Sequence, residues 1–206
     1  HQPFGREHVC KVLDIVTAAA KHKSSVGSVT PALEHLVQLA HSAPHLFQGT
    51  AKELLGLVSH SDEVIVTAAC KLLADAAVSC LDGTGAPQAK ICARLKLLCV
   101  EGTRIHAKHA ARTLAKLAAA ASVGQEHLQD VFADIMDAAR DDELLDSNIP
   151  GVLSTIQTVG QQMPALFMEH LEGVERFIVD VLLRRALPNA KHSRAAGAVS
   201  TVAEMQ

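Results

Sequence analysis

One feature constrains the fold of this 206-residue chain more than any other: similar apolar spacings return at a nearly fixed interval. Val64, Ala68 and Leu72 lie four apart, Ala107, Ala111 and Leu114 follow 43 positions later, and Ile149, Leu153 and Ile156 another 42 positions on. Apolar residues recurring every three or four positions mark the buried stripe of an amphipathic helix. Each stripe follows another amphipathic stretch and a short polar break, at His60-Ser61-Asp62, Glu101-Gly102-Thr103 and Ser147-Asn148. Two helices per unit at a period of about 40–47 residues is the pattern of HEAT and armadillo arrays. A bundle of helices of similar length is the alternative, and the recurring interval favours the array. The fold expected is all-α, a right-handed stack of antiparallel helix pairs forming a single repeat domain over 1–206, clearest at 44–187. The opening His1-Gln2-Pro3, with no initiator Met, reads as the start of a piece cut from a longer protein.

Local signals place the elements. The first helix spans about 6–22, with Val9, Val12, Leu13 and Val16 on one face. Thr30 reads as an N-cap with Pro31 at the first helical position, where a missing N–H costs nothing. That helix points Leu33, Leu36, Val37 and Ala40 inward. Thr50-Ala51-Lys52-Glu53 fits a capping box ahead of Leu54, Leu55 and Val58. Ser61-Asp62-Glu63 sets acidic groups at the start of the fourth helix, favourable against its dipole, and Val64, Ala68, Leu72 and Ala76 form its stripe. After a Gly83-Thr84-Gly85 turn come helices at about 87–100 and 104–121, the latter the strongest helix former through its alanines. Helices near 125–139, 149–162 and 171–187 follow, with a short turn or helix at Met163-Pro164. Pro188 stops the last of these, and a weak helix covers 193–205.

Composition and charge remove whole classes of function. Five Phe and no Tyr or Trp argue against an all-β domain. A formal charge of −3 gives no bulk attraction to DNA or to an anionic membrane. No apolar run reaches the ~18–20 residues a membrane span needs. The five cysteines, at 10, 70, 80, 92 and 99, are odd in number and form no C-x-x-C pair. Reduced thiols in an intracellular protein are the reading that follows.

Catalytic and metal chemistry find little support in the residues. Among twelve histidines, His106 and His109 share a helix face and His127 lies in the next element, but zinc needs three or four converging ligands. No H-E-x-x-H occurs, so these read as solvated surface histidines. Cys70, Cys80, Cys92 and Cys99 sit in apolar helical segments, where a thiol packs as a small hydrophobe; Cys10, beside Lys11 and two residues after His8, is the least settled. Asp141-Asp142-Glu143 and Asp146 lack the alternating ligands of a calcium loop and read as a solvated loop. No nucleophile elbow, phosphate loop or dinucleotide fingerprint is present. No catalytic residue, cofactor or metal site is expected.

One surface feature survives. Arg104, Lys108, Arg112 and Lys116 are each four apart and lie along one drifting ridge of a helix. Such a run either keeps an alanine-rich helix soluble or docks an acidic peptide or phosphate group, with arginine making bidentate contacts.

Three segments carry a resemblance. Pro44-His45-Leu46-Phe47-Gln48-Gly49 with Glu53-Leu54-Leu55-Gly56-Leu57-Val58, then Glu101-Gly102-Thr103-Arg104-Ile105-His106-Ala107-Lys108-His109-Ala110, then Met163-Pro164-Ala165-Leu166-Phe167 with Glu172-Gly173-Val174-Glu175-Arg176-Phe177-Ile178 occur in order over about 44–183. They are similar to segments of the Pds-five family of cohesin regulators, named for precocious dissociation of sisters, and the plant members look closest. The match does not extend clearly into 1–40 or 188–206. The chain departs from the usual HEAT pattern at Val64, which is followed by Ile65 where arginine is common. The resemblance implies a nuclear, non-catalytic scaffold of stacked HEAT repeats that binds the cohesin kleisin subunit and the releasing factor Wapl to control sister-chromatid cohesion. A HEAT or armadillo adaptor of nuclear transport or vesicle coats is the second reading, and an enzyme on a helical-repeat frame the third.

Overall fold

A computed structural model describes residues 5–22, 26–80, 86–120, 122–140 and 145–183, and among these residues it holds ten α-helices and no strand. In chain order they are α1 (Arg6–Ala20), α2 (Val26–Ser42), α3 (Ala51–Val58), α4 (Glu63–Cys80), α5 (Ala86–Glu101), α6 (Arg104–Ala120), α7 (Ser122–Arg140), α8 (Ile149–Gln162), α9 (Pro164–Glu169) and α10 (Leu171–Phe177). A 3₁₀ turn at Pro44–Phe47 precedes α3, and Ile178–Leu183 widens into π-helical winding after α10.

The helices pack as two layers. α2, α4, α6 and α8 lie side by side in one, and α1, α3, α5 and α7 in the other. α1 packs on α2, α3 on α4 and α5 on α6, while α7 and α8 both close over the α5/α6 pair. α6 stands between α4 and α8, so contacts pass from unit to neighbouring unit as in a stacked array. Leu72 and Leu114, both expected on apolar stripes, are fully buried.

Each unit is also pinned to the one before it by a polar side chain. His60 takes a backbone proton from Asp62 N on Nδ1 (2.9 Å), which leaves Nε2–H to donate to Ala20 O at the end of α1 (2.9 Å). Arg94 Nε of α5 donates to Val58 O at the end of α3 (3.4 Å). Thr155 Oγ1 of α8 donates to Cys99 O of α5 across a buried gap (2.8 Å). These bonds satisfy backbone carbonyls that helix ends leave without a partner.

The register of the repeat differs from that expected. Burial in α4 returns in α6 after 41 positions: Val64 and Ile105 are exposed, and Leu73 and Leu114 buried. From α6 to α8 it returns after 45: Lys108 and Leu153 are exposed, and Leu114 and Val159 buried. Val64 (52 % exposed) and Leu153 (37 %) are thus not stripe residues. Apolar spacing marks a helix but does not distinguish an inward position from an exposed one at the edge of a helix sandwiched between neighbours. α4 shows why, since it is buried on most of its circumference.

Other local signals were also overridden. α2 starts at Val26, so Pro31 lies inside it and Thr30 is not its N-cap. Burial of Val29 extends the stripe of Leu33, Leu36 and Ala40 by a turn, which outweighs one lost backbone bond. Thr50 is the N-cap residue of α3, but no capping bond forms. Its hydroxyl instead donates backward to Phe47 O (2.7 Å) and closes the 3₁₀ turn. Asp62 does cap α4, with Oδ1 accepting from Val64 N (2.9 Å) and Ile65 N (3.4 Å). The single helix expected over 171–187 ends as α-helix at Phe177 and continues in π-helical winding over Ile178–Leu183. The Gly83–Gly85 turn, Asp141–Glu143, Pro188 and the helix at 193–205 lie outside the described residues.

Candidate functional site

The basic ridge of α6 divides into two halves. Four residues advance a helix by slightly more than one turn, so each step drifts about 40° around the axis. Three steps carry the ridge from the side facing α8 to the side facing α4. Arg104 and Lys108 remain exposed. Lys116 Nζ instead donates to Asp75 Oδ1 of α4 at 2.8 Å, Arg112 Nη2 lies 3.9 Å from the same oxygen, and His41 Nδ1 of α2 lies 3.4 Å from Asp75 Oδ2. Burial alone would raise the Asp75 pKa, but the Lys116 hydrogen bond and the charges of Lys116, Arg112 and His41 hold it below the ordinary value. Asp75 therefore ties α2, α4 and α6 together, and the C-terminal half of the ridge serves that joint.

The free half opens on a groove. Lys71 of α4 joins Arg104 and Lys108 around a depression of about 710 Å³, with Ser154, Gln157 and Gln161 of α8 on its far wall. No carboxylate lines it, and among the described residues none lies within ion-pair distance of these three cations. His109 forms part of the lining, half-buried and with a buried Nδ1 that has no hydrogen-bond partner. Burial first, and then the charges of Lys71, Lys108 and Arg112, push its pKa down to about 4, against a smaller opposite pull from Asp75. The part of that shift that burial does not supply reflects the cations gathered beside the groove.

A second groove of about 680 Å³ continues the first toward α2 and shares Lys71 and Ile105 with it. Its lining is different: Val64 and Ile105 (54 % exposed) supply apolar surface, and Glu34 and Glu63 supply negative charge. Lys71, Val64 and Ile105 were missed from sequence as surface residues. In the observed 41-residue register Lys71 is the counterpart of Arg112, a signal hidden by the 43-residue spacing.

The remaining candidates fall into place. His106, expected on the surface, is buried, with Nε2 2.9 Å from Thr67 Oγ1 and 3.2 Å from Glu63 O. The close approach of α4 to the first turn of α6 encloses it, and it joins the two helices. His127 is half-buried and Asp146 exposed. Cys70, Cys80 and Cys99 are buried with pKa values raised to about 12, mainly by desolvation, Cys92 is buried and its pKa also raised by desolvation, and Cys10 is half-buried. Among the described residues no group of three His, Cys, Asp or Glu side chains could hold a metal ion, and no helix is long and apolar enough to cross a membrane.

Stacked helix pairs with an open, charged face define an all-α repeat protein. Comparison with known proteins identifies which kind. The family model described as Sister chromatid cohesion protein PDS5 protein matches residues 1–203, so the match reaches both ends that the three quoted segments left uncovered. The chain belongs to this family of cohesion regulators. It is also similar to Sister chromatid cohesion protein PDS5 homolog A of Arabidopsis thaliana, with 28 % identity over 182 residues, 88 % of this chain and 11 % of that protein. The chain thus spans about a tenth of the length of this relative. Membership in this family sets aside the transport and vesicle-coat reading.

Proposed function

We propose that this chain is a non-catalytic binding segment of a cohesin regulator, one stretch of a longer repeat array acting in the nucleus. Its partners are protein segments of the cohesin system, the kleisin subunit or the releasing factor Wapl, and it requires no cofactor. The observation that carries this reading is the family match along nearly the whole chain, at residues 1–203. The open face of the α2–α4–α6–α8 layer supports it, since repeat arrays use such extended surfaces for binding. Of the ridge, Arg104 and Lys108, joined by Lys71, form the docking half, and Arg112 and Lys116 belong to the joint at Asp75.

The test is direct binding of the purified 206-residue chain to purified kleisin and Wapl, followed by surface capture at two salt concentrations. Binding to either partner that weakens as salt rises is expected, because exposed charges are screened within about 8–10 Å. Absence of binding to both partners at either salt concentration would overturn the reading.

A further inference from the structure

Two adjoining grooves of opposite character cross one face of the molecule, and together they restrict what can occupy them. The groove between α6 and α8 presents Lys71, Arg104 and Lys108 with no carboxylate in its lining. The neighbouring one lies over α4, between α2 and the Ile105 edge of α6, and presents the exposed Val64 and Ile105 beside Glu34 and Glu63, with Lys71 common to both grooves. Packed helices lie about 8–10 Å apart, and an extended chain advances about 3.3–3.6 Å per residue. A segment crossing the helices therefore moves from one groove to the next in about three residues.

We infer that this trough binds an extended partner segment whose side chains run acidic, then aliphatic, then basic, at steps of about three residues from the α8 side to the α2 side. The inference rests on the binding role proposed above and adds the chemistry of the partner. Carboxylates meet the three unpaired cations, where arginine offers two parallel donors. The aliphatic side chain covers Ile105 and Val64, each about half exposed. A terminal Lys or Arg meets Glu34 and Glu63. Charges of both signs in one trough fix the direction of the segment as well as its affinity, since a reversed segment sets like charges together. The same two glutamates disfavour a nucleic acid backbone, which would satisfy the first groove and be repelled along the second.

The probe is a random-sequence peptide library selected on the immobilised 206-residue chain, with the enriched peptides resynthesised and titrated. Enrichment of Asp or Glu about three residues from Leu, Ile or Val, with a basic residue a similar step beyond, is expected. Affinity should fall about tenfold or more in Arg104→Glu/Lys108→Glu and in Lys71→Glu, the scale of one lost charge-assisted bond, and should be unchanged in Lys52→Glu on α3. Ile105→Ser should weaken binding while leaving its salt dependence intact. Circular dichroism melts of every variant provide the folding control, and Lys71→Glu, on a different helix, keeps the test valid if the α6 variants melt early. Three results would overturn the inference: enriched peptides without the acid–aliphatic spacing, enriched peptides indifferent to all three variants, and displacement of the peptide by a single-stranded oligonucleotide. Kleisin or Wapl that binds equally well to wild type and to these variants would sink the trough and the docking role of Arg104, Lys108 and Lys71, while leaving the chain's binding role in the cohesin system standing.

Discussion

At the residue scale, Asp75 and His109 show how neighbouring charges write an acid response into the fold. The Asp75 carboxyl titrates below its ordinary 3.8, so the stability it contributes is present above that pH and is lost as pH falls through the lower folded value. Asp75→Ala would leave Lys116 and Arg112 facing each other without their acceptor, and we expect a loss of about 1–3 kcal/mol at pH 7 in urea denaturation. His109 acts at higher pH. Between its ordinary 6.5 and its folded value of about 4, the unfolded chain takes up a proton that the folded chain refuses. Stability attributable to His109 is complete above pH 6.5 and declines as pH drops toward 4. Burial first, and then the groups facing it, Lys71, Lys108 and Arg112 against Asp75, set the shift. Replacing it with Gln should flatten the melting temperature over that interval and leave the later loss at Asp75 in place. An unchanged pH profile in His109→Gln would show that some other group titrates there.

Element-scale behaviour turns on how closely backbones approach. A Cβ on Gly151, in the first turn of α8, would lie 2.1 Å from Gly102 O in the α5–α6 turn, with backbone on both sides and no flexible side chain to yield. Gly151→Ala should therefore cost at least the ~1–3 kcal/mol of ordinary overpacking and prise α8 from α6. Gly27 in α2 has nothing within 4 Å of such a Cβ, so Gly27→Ala should stabilise, by at most about 1 kcal/mol, through helix propensity and a less flexible unfolded chain. Thermal melts of the two variants should shift in opposite directions. A shared direction would mean that the α8 contact is looser than the backbone distance requires. From sequence, Gly102 reads as a break between helices and Gly151 as part of the 149–162 helix; only the packing shows that they face each other.

For the whole molecule, position in the array decides what a core deletion does. Leu114 lies fully buried on α6, which touches α4, α5, α7 and α8, whereas the equally buried Leu13 lies on α1 at one end. Each Leu→Ala change removes about 2–5 kcal/mol of local packing. In a stack held by nearest-neighbour contacts, loss at the end frays one unit and loss at the centre uncouples the rest. Leu13→Ala should thus give an early, partial transition in urea with most helix content retained, and Leu114→Ala a single lowered transition. Identical unfolding curves for the two variants would point to one indivisible core.

The amino-acid sequence determined a good deal on its own. Period-3.6 apolar spacing placed nearly every helix, the boundaries of α8 included, because a helix must bury a stripe wherever it packs. The interval between stripes identified a stacked array, and buried cysteines followed from their apolar neighbours. Tertiary structure decided the rest. Which apolar residues turned outward at Val64, Ile105 and Leu153, and how the register settled at 41 and 45 residues, depended on what lay on either side of each helix. The ridge from Arg104 to Lys116 is uniform in sequence, and only Asp75, more than 25 positions earlier in the chain, divides it into an exposed half with no ion pair among the described residues and a half tied to α4. Local periodicity is a property of one helix, whereas exposure and charge pairing are properties of its neighbours, and a chain folded into layers brings those neighbours from about forty residues away.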